Sequence, residues 1–427
     1  MSGSEDSPAS SPLGRNKDFN RLLAGSVISN LGSRSTAIAY PLLGLALTGS
    51  PEWAGIIGFC SLLPSLLFCL PAGPHVERRD PRIIMLVCEA VRLLAVAIIA
   101  VSLITSTCRI YLLAIMAFIE GSFAVFYPIA EAKLIRRVVS TEQTSAALAR
   151  IQGRNSVAQL LGRPLGGVLF GLGRAIPFLV DMCSFFASLI MVGLIRIKKI
   201  EPGSRLDGPP ISYGIRSGLK CFRGEPFLSS ATLLVSAGNL IYQAEFIIYL
   251  ANAKADGVHP SIIGLAYGCA GIGGVLGAAS AKSIFDWLGF RVVLVCQWVC
   301  MIAVSILTIS NTSATFGVAI TIFVVAGVIS NVGLQTYVFR RIPNDLMAHV
   351  VSIELSIGYA GTAAGPLVGG FIYSQLGSRT SCVLLAVLSA LLTLTAMNTK
   401  PLRAPPPVAV SHPETVTERK GGAVPPI

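Results

Sequence analysis

LGRPLGG at Leu161–Gly167 and AGPLVGG at Ala364–Gly370 carry the same pattern, Gly-x-x-x-Gly-Gly, each inside a long apolar run. The copies, Gly162, Gly166, Gly167 and Gly365, Gly369, Gly370, lie 203 positions apart. At that offset Arg137 falls on Arg340 and Glu142 on Asp345. One residue further, the tract Gly73–Arg78 falls on Gly277–Lys282. The chain therefore reads as a duplication. Glycine at this spacing, with Gly361 and Pro366 beside the second copy, suits helices that touch in lipid, where burial supplies no drive and close approach must. Two matching helical halves in an apolar chain are the usual construction of a secondary transporter.

The 427 residues are 53% hydrophobic and 13% charged, with a mean hydropathy of +0.71, so the bilayer is the expected solvent. A net charge of +12 would suggest nucleic acid in a soluble chain, but its placement argues otherwise. Arg109, Arg174, Lys254 and Arg379 fall on one side of the expected spans, and Arg34, Arg92 and Arg163 lie within them. The remaining Lys and Arg collect on the other side with both ends of the chain. The positive-inside rule makes that side cytoplasmic. The first twenty residues lack the apolar centre of a cleavable signal peptide, so the first span is expected to act as an uncleaved anchor.

A core of roughly 30 Å needs about 20 helical residues. Twelve windows meet this: 21–47, 53–73, 83–105, 110–130, 145–170, 175–195, 228–251, 260–281, 291–310, 314–338, 349–373 and 379–398. The predicted fold is an all-α membrane protein of twelve transmembrane helices in two pseudo-symmetric six-helix bundles. Its parts are a disordered cytoplasmic N-terminus (1–20), a first bundle (21–195), a cytoplasmic linker (196–227), a second bundle (228–398) and a disordered tail (399–427). Within the linker, 211–227 suits either a flexible tether or an interfacial helix, with Ile215, Leu219 and Phe222 on one face and Arg216, Lys220 and Arg223 free for headgroups.

The ten cysteines are scattered, without metal-ligand spacing, so neither metal nor disulfide is expected. GAASAKS at 277–283 grazes a phosphate loop but has Ala281 where that loop needs glycine. No cofactor, nucleotide or enzymatic chemistry is expected.

Twelve windows, a basic central linker and GPHVERRDPR at 73–82 together resemble the major facilitator superfamily, whose loop signature Glu77, Arg78 and Arg82 match. SNLGS at 29–33, LTGSPEWAG at 47–55, PAG at 71–73, Glu89-x-x-Arg92 and GLKCFRGEPF at 218–227 are similar to its macrolide and siderophore exporter branch, which are proton antiporters. Two positions depart from the branch. Ser33 and Arg34 follow Gly32 where an acid is common, and the antiporter glycine motif is altered at Gly162-Arg163-Pro164 but intact at Gly365-Pro366.

The resemblance implies that the first helix of each triplet lines a central cavity. That nominates Arg34, Glu120, Asn239, Gln243, Glu245, Asn331 and Gln335 for the substrate and proton pathway. Glu120 is the first choice for proton carrier, with Arg34 near it either tuning it or forming a static pair. Glu245 lies nearer the outer end of its span. In the gating loop, Gly73 would give a sharp helix exit, while Glu77 would face the N-terminus of the eleventh span near Met347. Glu89 and Arg92, at i and i+3, are expected to pair.

These readings converge on proton-coupled efflux of a small amphipathic compound by rocker-switch alternating access. The setting is the inner (plasma) membrane and the chain a monomer with both termini cytoplasmic; antibiotic resistance would be the consequence. An uptake permease for an organic anion, a lysophospholipid flippase, or a transport-inactive sensor are the alternatives. The partners are a small-molecule substrate, protons and the lipid bilayer.

Overall fold

A computed structural model describes residues 16–140, 143–195, 211–310 and 313–402. Among the described residues there is no strand. The helices are α1 (Lys17–Thr48), α2 (Pro51–Glu77), α3 (Pro81–Ile104), α4 (Ile110–Val138), α5 (Thr144–Leu172), α6 (Ile176–Gly193), α7 (Ile211–Gly224), α8 (Pro226–Ala255), α9 (Pro260–Ser310), α10 (Ser313–Arg341) and α11 (Asn344–Asn398). Glu142, the linker up to residue 210 and the tail beyond 402 lie outside the described residues, as do the side chains of Ile215 and Arg216.

Helix covers all twelve expected windows to within two residues at their edges. Among the described residues, eight helices are long and apolar enough to cross a membrane. Two of these, Pro260–Ile309 and His349–Asn398, run to 50 residues, and each contains one residue outside helical geometry. Those residues are Gly289 (φ 72°) and Gly377 (φ 73°), left-handed values that glycine adopts without the clash a Cβ would bring. Each long helix thus supplies two bilayer-length runs.

Helix and turn reach into both segments for which disorder was expected, at Lys17–Asn20 and Lys400–Leu402. α1 starts at Lys17, where the Asn16 side chain accepts from the Phe19 amide at 3.0 Å and satisfies an otherwise orphaned donor. At the other end Lys400–Leu402 forms a 3-10 turn with Leu402 buried. The linker segment 211–224 is helix, and its Gly218 lies close against His349 of α11.

Packing divides the helices into two bundles. In the first, α1 lies against α5 and α6, α2 against α4, and α3 against α4 and α6. In the second, α8 packs on α11, and α9 on α10 and α11. The bundles meet chiefly through α2 with α11 and α5 with α9. The duplicated glycine motif builds both kinds of contact. Gly162 and Gly166 sit on Arg34 and Ser35 of α1, while the adjoining Gly167 faces the other bundle, where a Cβ would come within 2.6 Å of the Gly264 backbone. In the second copy Gly361, Gly365 and Gly369 sit on Ser236, Gln243 and Ala244 of α8, and Gly370 crosses to Pro51 and Gly55 of α2.

The seam between bundles is closed at the face away from the chain termini. Lys254, at the end of α8, donates to the carbonyl of Leu45, near the end of α1. Gly171 lies against His259 and Ser261, and Gly58 and Gly268 receive the rings of Pro366 and Pro164. Toward the termini these glycine contacts between α5 and α9 extend as far as Leu160 with Gly271. Between α2 and α11 the seam reaches Cys69 with Ser356 at 3.2 Å.

Candidate translocation site

A polar network lies inside the first bundle. Arg92 of α3 donates from Nε (3.0 Å) and Nη2 (2.6 Å) to Glu120 Oε1 of α4, and from Nη2 to Ser33 Oγ of α1 at 2.5 Å. Its guanidinium also stands 4.3 Å above the ring of Phe185. Nearby, Asp181 of α6 accepts from Thr36 Oγ1 (2.7 Å) and Ser184 Oγ (2.9 Å) and is wholly buried. Glu89 accepts from Ser188 Oγ at 2.7 Å. Three buried carboxyl groups thus share the neighbourhood of one guanidinium. Gly32 admits this clustering, because a Cβ there would strike Ser184 and Asp181.

This arrangement corrects two expected pairings. Arg92 does not give its hydrogen bonds to Glu89, although both lie on one face of α3; α4 presents Glu120 at shorter reach and Ser188 takes Glu89. Nor is Glu120 the partner of Arg34. The backbone and Cβ of Arg34 press on Gly162, and its side chain is exposed. A second buried pair, Arg154 with Glu131, ties α5 to α4, with Asn155 bridging to Asn30 at 3.1 Å. Nothing in the sequence spacing signals that Arg154 and Glu131 meet.

The second bundle separates its nominated residues. Glu245 is entirely buried and accepts from Ser305 Oγ of α9 at 3.2 Å, so it is a core group and not one that reaches the outer surface. Gln243 lies at the α8–α11 contact against Gly365. Asn239, Asn331 and Gln335 do come together, lining a cavity of about 610 Å³ between α8, α10 and α11. Glu354 shares that cavity and accepts from Gln335 Nε2 at 2.9 Å. Glu354 is not among the residues that the sequence nominates for the pathway.

Arg163, the residue that breaks the fifth-span motif, crosses the seam. Its Nη1 donates to the Tyr242 hydroxyl at 3.0 Å, and its guanidinium lies 4.8 Å from the Tyr267 ring. Tyr242 in turn stacks on Phe323 of α10 at 5.5 Å.

The gating loop is anchored within its own bundle. α2 continues through Gly73 to Glu77, so the sharp exit expected at Gly73 falls at Arg78 instead. Lys133 Nζ stabilises this end by donating to the carbonyls of Val76 (2.9 Å), Glu77 (2.6 Å) and Arg79 (3.0 Å). Asp80 caps α3 through the Arg82 amide at 2.9 Å, and the Arg82 side chain donates to the carbonyls of Val192 and Gly193. The Glu77 and Arg78 side chains are exposed. Among the described residues, no group of His, Cys, Asp and Glu has the arrangement of a metal site.

Among the described residues, ten long helices in two bundles that meet along a shared seam give the architecture of a multi-pass membrane transporter. A family model described as Major Facilitator Superfamily matches residues 22–366, and the chain belongs to that family. The multidrug efflux pump Tap of Mycolicibacterium fortuitum is 22% identical over 392 residues, covering 88% of this chain and 94% of the pump. YdeE, an uncharacterized MFS-type transporter of Escherichia coli, is 23% identical over 402 residues, covering 88% and 93%. Among solved structures, a point mutant of the nucleoside transporter NupG superposes with a TM-score of 0.73 at 12% identity, covering 89% of this chain and all of that one. The protein is a multi-pass membrane transporter and not an enzyme.

Proposed function

We propose that this transporter exports a small amphipathic compound in exchange for protons, by alternating access between its two bundles. The buried contact of Arg92 with Glu120 at 2.6 Å is the observation that carries this reading. A carboxylate held in low dielectric by one guanidinium exchanges its partner for a proton at the cost of a single ion pair. Asp181 and Glu89 beside it give the network more acid groups than its one arginine neutralises. Protonation of Glu120 would leave Arg92 held to Ser33 of α1, whose Gly162 contact links it to α5 and the seam.

The seam supports the motion. It is closed by Lys254 with Leu45 and by Gly167 with Gly264, on the face away from the termini. Placing the basic loops inside makes that closed face the external one. The similarity to Tap, a multidrug efflux pump, supports the outward direction. The exposed Arg34 favours uptake of an organic anion as the second reading.

Flux in proteoliposomes with a proton gradient imposed in each direction separates the two. Export requires substrate to move against the proton gradient's direction. Movement of substrate with the protons would support uptake, and flux indifferent to the gradient would refute coupling.

A further inference from the structure

We propose that the cavity between α8, α10 and α11 is a subsite for hydroxylated amines, in which Glu354 supplies the counter-charge to a substrate's cationic nitrogen. The inference rests on the transport reading for its biological use, but the site stands on its own geometry. Its volume of about 610 Å³ falls in the range of about 300–1,000 Å³ usual for small-molecule pockets.

Glu354 is 6% exposed and lines this cavity. One oxygen accepts from Gln335 at 2.9 Å, whereas Oε2 is buried with no hydrogen-bond partner in the structure. Among the described residues no ion pair reaches it. A carboxylate offers about four acceptor positions, and one left buried without partner or counter-charge is costly. A ligand nitrogen that bears both a charge and N–H donors satisfies both needs at once.

The other walls select against a purely lipophilic cation. Asn239, Asn331, Tyr359 and Thr362 present amide and hydroxyl groups around the same space. A ligand without hydrogen-bonding groups would strip water from these and return nothing. Apolar Val235, Val328, Val332, Leu334, Phe339 and Leu355 make up much of the remaining wall and suit the carbon skeleton of such an amine. The cavity also adjoins the seam, since Ser356, between the lining Leu355 and Gly358, lies 3.2 Å from Cys69 of α2. Rocking of the bundles would therefore change access to it.

Binding to the purified full-length protein in detergent tests this directly, with the glucosamine trimer as probe, below the pKa of its amines. Cellotriose, its neutral counterpart, and tetraphenylphosphonium, a cation without donors, serve as comparisons. The amine should bind more tightly than either. Glu354→Gln should weaken it by about tenfold or more, the loss of one charge-assisted hydrogen bond. Glu354→Asp should recover part of the affinity, and cellotriose should be indifferent to both changes. The exposed Asn331→Leu should weaken amine binding several-fold, and it keeps the test valid if Glu354→Gln does not fold. No amine binding by the native protein, equal binding by the variants, or selective loss of tetraphenylphosphonium would overturn the subsite. Amine binding retained without any flux in proteoliposomes would instead refute the transport reading.

Discussion

Arg163 of α5 donates a 3.0 Å hydrogen bond to the hydroxyl of Tyr242 on α8, joining the two bundles through a residue that replaces a small or cyclic one in the glycine motif. The same guanidinium lies over Tyr267 of α9. Because the contact spans the seam, it stabilises the arrangement in which the two bundles meet there. A cation–π contact plus a charged hydrogen bond at a desolvated site contributes about 2 kcal/mol, roughly thirtyfold in a two-state ratio. Arg163→Ala should shift the population toward opening at that face. Spin-label distances across Lys254 and Leu45 would lengthen; unchanged distances would remove Arg163 from the gating account.

Gly167 should tolerate no side chain. Its Cβ would meet the Gly264 backbone at 2.6 Å, and neither partner is a flexible side chain that could yield. Gly167→Val should abolish flux while leaving each bundle assembled, as judged by a monodisperse chromatographic peak. Gly274 is the control, since a Cβ there meets nothing within 4 Å. Gly274→Ala should transport normally and gain about 0.5–1 kcal/mol of helix stability, visible as a small rise in melting temperature.

Glu245 and Glu120 should behave differently despite both being buried acids. Glu245 is fixed to Ser305 in the core of the second bundle and lines no cavity described above. Glu245→Gln should lower thermal stability by about 1–3 kcal/mol and preserve the dependence of flux on the proton gradient. Loss of that dependence, with stability intact, would move the proton carrier to the second bundle.

Removing one partner of the Arg92–Glu120 pair should cost more than removing both. Arg92→Met leaves Glu120 buried without its cation, a loss of about 3–5 kcal/mol, whereas the double variant Arg92→Met with Glu120→Leu should recover most of it. Thermal unfolding of the single and double variants in one detergent checks this. A double variant as unstable as the single would mean the pair is not what holds α3 to α4.

Much of this was legible in the sequence because the glycine repeat fixes it. Gly162 and Gly365 at a constant offset required two equivalent bundles, and the apolar windows located their helices. The pairing of charges was not legible. Glu89 and Arg92 share a face at i and i+3, yet which of them meets Glu120 depends on the rotation of α4, which spacing along one helix does not encode. Arg163 read as an anomaly inside a span because its partners, Tyr242 and Tyr267, lie on the other bundle at unrelated positions. Glu245 read as close to the surface because depth was counted from the span's end, whereas packing of α9 over it decides its exposure. Glu354 was obscured by the polar start of its span, which blurs where the bilayer begins.

The central claim is that Glu120, released from Arg92 by protonation, couples the gradient to the rocking of the bundles. Its most direct measurement compares two fluxes of the Glu120→Gln protein in proteoliposomes: substrate exchange without a gradient, and accumulation driven by one. The account predicts that exchange persists and that gradient-driven accumulation disappears. Accumulation at the native level, with its full dependence on the proton gradient, would contradict it.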